Sequence, residues 1–167
     1  MFAKSLELRA IINNILRVKQ SLSDNNALYK SYYSFLDYIY FPKTQSDISY
    51  ARIRSYKKSG WQHKSILLTI KSDQKTILKQ EYDLLDDAKN AIKEGFDYAF
   101  QFSREGWEYE WEGCHVFLED IQDLPASIEV IAESRQLIDR LFLIVQAHEV
   151  LEVAVPFFYL KLHERML

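Results

Sequence analysis

Charged and polar side chains recur at every second position in four segments of this 167-residue chain. They are Ser5, Glu7 and Arg9; Arg52 and Arg54; Thr69 and Lys71; and Lys79, Glu81 and Asp83. Because the side chains of a β-strand alternate between its two faces, each set lies on one face of a strand and apolar residues lie on the other. Paired cations and paired acids on successive strands predict a cavity for a charged small ligand, with a solvated outer face as the alternative.

The composition argues against several classes of protein. Hydrophobic residues make up 48% and charged residues 27% of the chain, as in ordinary soluble globular proteins. The net charge of −3 gives no reason to expect a nucleic-acid partner. No apolar run approaches the roughly 20 residues that span a bilayer. The first residues contain the charged side chains Lys4, Glu7 and Arg9, so this segment does not resemble a signal peptide. We therefore expect a single cytoplasmic domain over residues 1–167, without a membrane partner.

The elements that must position the charged residues are mostly strands. Alternation and turn residues predict strands at 4–11, 32–41, 48–56, 64–71, 76–83, 97–103, 107–111, 114–119 and 127–132. Apolar residues at helical spacing predict helices at about 12–22, 85–93 and 135–147, and Pro156 suits the start of a short final helix. Residues 148–167 are otherwise ambiguous.

This pattern predicts an α+β fold with a mostly antiparallel sheet, because the strands follow one another in hairpins. A sheet of about eight strands tends to curl or close, and the interior of such a barrel holds one small ligand. We therefore expect a closed or nearly closed barrel, a tunnel, with flanking helices. Its charged interior would account for the alternating charges.

Eight short segments also follow the order of motifs in a known family. Ser5-Leu6-Glu7-Leu8-Arg9 stands for Glu-x-Glu-x-Lys, Asp37-Tyr38-Ile39-Tyr40-Phe41 for Asp-x-Tyr-Phe, Arg52-Ile53-Arg54 for Arg-x-Arg, and Thr69-Ile70-Lys71 for Thr-x-Lys. Lys79 to Asp83 stands for Arg-x-Glu-x-Glu, and Arg104 is the basic remnant of Lys-x-Arg. Glu119, or its neighbour Asp120, takes the Asp position of the strand that ends in Leu-Asp, and Glu129 is the first acid of Leu-Gly-x-Phe-x-Glu-x-Glu. The chain thus resembles the CYTH domains, or triphosphate tunnel metalloenzymes, which include class IV adenylyl cyclases, thiamine triphosphatases and inorganic triphosphatases.

The resemblance implies a role for each group of charged residues. The cations that would bind a triphosphate are Arg9, Arg52, Arg54, Lys71, Lys79 and Arg104. The acids that would hold Mg²⁺ or Mn²⁺ are Glu7, Glu119 and Glu129, which are also the catalytic candidates, with Glu81 and Asp83 alongside. Glu81 and Asp83 equally fit structural ion pairs with neighbouring cations. Ser5, Gln101 and Ile131 replace two acids and a base of the family pattern.

Three functions follow from the resemblance. The first is metal-dependent hydrolysis of an inorganic or organic triphosphate by water. The second is class IV adenylyl cyclase activity, in which the ribose 3′ oxygen of ATP attacks the α-phosphorus and pyrophosphate leaves. The third is a non-catalytic triphosphate binder or scaffold, which the loss of acids at Ser5 and Ile131 favours. An aromatic face formed by Trp107, Tyr109 and Trp111 is either core or the contact of a homodimer.

Overall fold

The structure is a computed structural model that describes residues 5–59, 66–73 and 75–164. Its strands are β1 (Leu6–Ile11), β2 (Leu28–Pro42), β3 (Tyr50–Ser59), β4 (Ile66–Ser72), β5 (Lys75–Tyr82), β6 (Phe96–Trp111), β7 (Cys114–Ile121), β8 (Ser127–Ala132) and β9 (Glu149–Leu151). Its helices are α1 (Ile15–Asp24), α2 (Leu85–Ile92), α3 (Arg135–Ile144) and α4 (Val155–Glu164). The predicted first residues of two strands, 4 and 64–65, lie outside the described residues.

The strands form an antiparallel sheet in the order β5-β4-β3-β2-β6-β7-β8-β1-β9, and the α+β class is confirmed. Within the described part of the chain, this order ends at β5 and at β9, and backbone hydrogen bonds do not join these two strands. Closure of the sheet into a tunnel therefore stays a prediction. No described helix has the length and apolar character needed to cross a membrane.

Several elements differ from their predictions, among them β2, which begins at Leu28 rather than at residue 32, and α3, which ends at Ile144 rather than at residue 147. Residues 97–103 and 107–111 belong to one strand, β6, which lies between β2 and β7 in the sheet. Helix α1 begins at Ile15 rather than at residue 12, because the Asn14 side chain accepts a hydrogen bond from the Arg17 amide (3.1 Å) and caps the helix. Strand β9 lies in the segment that the sequence left ambiguous and pairs with β1.

The chain forms two compact units. Unit 1 comprises residues 1–32 and 105–167, and unit 2 comprises residues 33–104. Strands β2 and β6 are long enough to contribute one part to each unit. The expectation of a single domain stays a prediction.

In unit 2, one face of the sheet is apolar. Ala51 and Ile53 of β3 and Leu68 of β4 are buried there against Ala88 and Ile92 of α2. Arg52, Arg54 and Thr69 alternate with these residues and occupy the other face. The alternation in the sequence therefore assigned both faces of this sheet correctly.

Unit 1 has its own core, in which α1 and α3 cover one sheet face. Val18 and Leu22 of α1 and Ile138 and Leu141 of α3 pack with residues such as Val130 of β8. Tyr109 and Trp111 are buried in this core, and Trp107 packs against it in part. The aromatic face of β6 is therefore core, and it offers no support for a homodimer, which stays a prediction.

Candidate functional site

The charged face of unit 2 carries the larger group of predicted site residues. Strand pairing places Arg54 opposite Asp37, Arg52 opposite Thr69, and Thr69 opposite Lys79. Directly opposed side chains on one face lie close enough to interact. This face therefore carries cations on β3 and β5, with Thr69 of β4 between them.

Asp37 is the centre of this group and has no exposed surface. Arg54 donates to both its oxygens, from Nε to Oδ1 (2.8 Å) and from Nη2 to Oδ2 (3.1 Å), and Nη2 of Arg104 lies 3.4 Å from Oδ2. Burial alone would raise the pKa of Asp37, but the charges of Arg54 and Arg104 and the hydrogen bond from Arg54 hold it below its usual range. Asp37 is thus a buried carboxylate shared by two arginines.

Arg52 and Thr69 present buried polar atoms to the same face. Nε of Arg52 and Oγ1 of Thr69 are both buried and have no hydrogen-bond partner, and Thr69 is only 3% exposed. Desolvation, followed by repulsion from Arg54, lowers the pKa of Arg52, while Asp37 and Tyr50 oppose that change. An anion in contact with Arg52 would therefore relieve an unfavourable charge and satisfy a buried donor.

The other predicted residues of unit 2 lie on or beside β4 and β5. Nζ of Lys71 donates to Oγ1 of Thr76 (2.8 Å). Lys79 is exposed and pairs across the strands with Thr69, while Glu81 is exposed and pairs with Leu67. Asp83 is exposed beyond the end of β5. Lys71 and Lys79 therefore extend the charged face formed by Arg52, Arg54 and Thr69. We call this surface the cationic face of unit 2, and Glu81 adds one acid to it.

The remaining predicted residues lie in unit 1, where Arg9 joins two of the predicted metal ligands. Nη2 of Arg9 is 2.6 Å from Oε1 of Glu119 and 2.6 Å from Oε2 of Glu129, and Nη1 donates to Oγ of Ser127 (2.8 Å). Arg9 and Glu119 are buried, and the Glu129 side chain is 20% exposed. The strand register produces this cluster, because Arg9 is opposite Glu129 on β8, and Ser127 of β8 is opposite Glu119 on β7.

The metal-binding prediction fits this geometry poorly. Mg²⁺ and Mn²⁺ need carboxylate oxygens that are free to coordinate them. Glu119 and Glu129 instead bind the guanidinium of Arg9, and Glu7 is exposed on β1 opposite Ile131. Among residues 5–59, 66–73 and 75–164, no group of three His, Cys, Asp or Glu side chains is arranged to hold a metal ion.

Sequence reasoning did not select Asp37 or Ser127 as site residues, although both contact predicted ones. Asp37 had a usable signal, because it is the one acid in the aromatic segment 32–41. An acid inside a buried strand needs a cationic partner. Ser127 had no such signal, since a serine at the start of a strand is common.

The comparisons with known proteins bear on the fold. No protein-family model and no curated protein matches the chain. The PH1819 protein of Pyrococcus horikoshii OT3 has a TM-score of 0.79 at 13% identity, covering 97% of this chain and 99% of that chain. A candidate adenylate cyclase of Vibrio parahaemolyticus has a TM-score of 0.70 at 10% identity, covering 93% and 97%.

A third similar structure is the candidate adenylyl cyclase HpAC1 of Hippeastrum, which is described as having a dominant triphosphatase activity. Its TM-score is 0.66 at 13% identity, and the match covers 95% of this chain and 96% of that chain. The TM-scores and coverages establish a shared fold over nearly the full length of both chains. Identities this low show nothing beyond that fold. The chain therefore shares the fold of these three proteins, two of which are named adenylate or adenylyl cyclases, and this supports its resemblance to CYTH domains at the level of the fold.

Proposed function

We propose that this protein binds a triphosphate-containing compound on the cationic face of unit 2. One observation carries the proposal: Nε of Arg52 and Oγ1 of Thr69 are buried on this face without a hydrogen-bond partner, beside Arg54 and Arg104, which share the carboxylate of Asp37. Buried polar groups of this kind are costly unless they find a partner, and the oxygens of an anion would supply one.

The arrangement suits a chain of phosphates rather than a single carboxylate. Arg52 and Thr69 supply buried donors, and Lys79 lies opposite Thr69 on the next strand. Phosphate oxygens along a polyphosphate would meet donors on successive strands, and guanidinium groups make planar forked contacts with them. A triphosphate therefore uses more of this face than a smaller anion does.

The first prediction concerns Arg52. The substitution Arg52→Gln is expected to weaken tripolyphosphate binding roughly 10- to 100-fold, because it removes a charged hydrogen-bond donor to the anion. Isothermal titration calorimetry at low ionic strength would measure the dissociation constant, since salt screens such contacts. The matched control is Lys93→Gln at the exposed C-terminal end of α2. This helix packs on the apolar face of the sheet, opposite the cationic face. Equal affinity of the two variants would contradict the proposal.

Hydrolysis of the bound triphosphate is the second candidate, and the fold shared with HpAC1 favours it. Phosphoryl transfer depends mainly on positioning and charge neutralisation, which the arginines and lysines of unit 2 would provide by holding the phosphates and the leaving group. The divalent cation expected from the resemblance would have to enter with the substrate, because the described acids do not form a site for it. We also propose that the protein acts in the cytoplasm and has no nucleic-acid or membrane partner.

The second prediction distinguishes the activities. With magnesium tripolyphosphate as substrate, the protein is expected to release phosphate, and Arg52→Gln is expected to lower kcat/KM by at least about tenfold while Lys93→Gln leaves it unchanged. With ATP, formation of cyclic AMP would instead identify a cyclase. Tight tripolyphosphate binding with neither product would identify a non-catalytic binder.

A further inference from the structure

We infer that Arg9 is the resident counter-cation of Glu119 and Glu129, so that this pair of carboxylates does not bind a divalent metal ion. One nitrogen, Nη2 of Arg9, lies 2.6 Å from an oxygen of each carboxylate. The two acids therefore converge on one point, as metal ligands do, and a guanidinium nitrogen of the chain itself occupies that point.

The position of Arg9 is fixed by the backbone as well as by its charge. Arg9 lies opposite Glu129 in the pairing of β1 with β8, and opposite Leu151 in the pairing of β1 with β9. A central strand with a neighbour on each side cannot shift its register without moving every side chain along it. Nη1 is held by Ser127, at 2.8 Å, which fixes the plane of the guanidinium.

A metal ion would have to displace this buried cation. An arginine side chain keeps its positive charge at ordinary pH. If a metal ion took both carboxylates, that charge would stay buried without them, which is costly. Arg9 is only 9% exposed and Glu119 only 4%, so water compensates little for that loss. Competition therefore favours Arg9 over Mg²⁺ or Mn²⁺ at these two acids.

Arg9 also affects what ligand binding requires, a step that rests on the proposed function. If the cationic face of unit 2 binds a triphosphate, it does so without a metal ion supplied by Glu119 and Glu129. Tripolyphosphate is then expected to bind with the same dissociation constant, within about twofold, in EDTA-treated buffer and in buffer without chelator or added metal.

A titration with Mn²⁺ alone tests the inference, because it contains no phosphate. Electron paramagnetic resonance measures the concentration of free Mn²⁺. In the wild-type protein it is expected to show no saturable site with a dissociation constant below about 1 mM. The substitution Arg9→Gln, which leaves the two acids without their cation, is expected to create one site. Arg17→Gln, on the exposed surface of α1, is the control and is expected to create none.

Saturable Mn²⁺ binding by the wild-type protein that Glu129→Gln abolishes would overturn the inference. A measurement on the wild-type protein alone covers the case in which Arg9→Gln does not fold. Mn²⁺ broadens amide signals near its site, so selective broadening at Glu119 and Glu129 would also overturn the inference, and its absence would support it. If tripolyphosphate fails to bind, the proposed function fails while the Mn²⁺ result still stands.

Discussion

The substitution Asp37→Asn is expected to destabilise the protein by about 3–5 kcal/mol, the usual effect of removing one partner from a buried ion pair. Asp37 has no exposed surface and is the shared carboxylate of Arg54 and Arg104. Asparagine preserves the shape of the side chain but removes the negative charge of Asp37 from both guanidinium groups. Denaturant unfolding would measure the loss, and Asp97→Asn, at an exposed position of β6, is expected to change stability by less than about 0.5 kcal/mol.

The pH dependence of stability gives an independent check on Asp37. Its native pKa is held below the ordinary value near 3.8, so the folded state binds a proton less readily than the unfolded state. The contribution of Asp37 is therefore complete above about pH 4 and is lost as the pH falls through the native pKa. The wild-type protein should lose stability more steeply than Asp37→Asn below pH 4. Equal slopes would show that Asp37 does not hold the arginines as the structure indicates.

Tripolyphosphate should partly compensate for the loss of Asp37. Without this carboxylate, the three arginines of the cationic face depend more strongly on a bound anion. Because a ligand that binds only the folded state stabilises it by mass action, the melting temperature should rise on adding tripolyphosphate. A rise of the same size in Asp37→Asn and in an Asp37→Asn, Arg52→Gln double variant would contradict binding at this face.

The faces of β3 and β4 could be predicted from the sequence because period-two alternation is a local property. Arg52 and Ile53 are neighbours in the chain, so one strand assignment fixes the face of each. The beginning of α1 could not be placed by periodicity, since the cap at Asn14 decides it. Hydrophobic spacing continues before Asn14, but a helix begins where its first amides find a partner.

The pairing of Arg9 with the two acids could not be predicted, because it joins residues 110 and 120 positions apart. It requires β1 to pair with β8 and β8 with β7, and no local pattern specifies the pairing of β1 with β8. The resemblance placed Arg9 among the phosphate ligands and Glu119 and Glu129 among the metal ligands. Arg9 has the charge that a phosphate ligand needs, and the two glutamates have the charge that metal ligands need. In the structure, however, the arginine and the glutamates bind one another.

The two groups of charged residues also differ in composition. In unit 2, three arginines surround one carboxylate, Asp37. In unit 1, two carboxylates surround one arginine, Arg9. Nε of Arg52, which is buried without a hydrogen-bond partner, belongs to the first group, and it supports an anion site there rather than at Arg9.

The substitution Arg9→Met is expected to cost about 3–5 kcal/mol of folding stability, because it leaves Glu119 and Glu129 close together without the charge of Arg9 between them. Adding Glu119→Gln and Glu129→Gln removes that repulsion, so the triple variant should recover at least about 2 kcal/mol relative to Arg9→Met alone. Chemical denaturation of the wild-type, single and triple variants would measure both values.

A matched comparison makes this test specific to the cluster. Adding the same two glutamine substitutions to the wild-type protein, where Arg9 remains, should destabilise it, because the buried guanidinium then loses the charges of Glu119 and Glu129. The sign of their effect therefore depends on the residue at position 9, since they stabilise Arg9→Met and destabilise the wild type. If they have the same effect in both backgrounds, the three side chains are not coupled, and Arg9 is not the counter-cation of this pair.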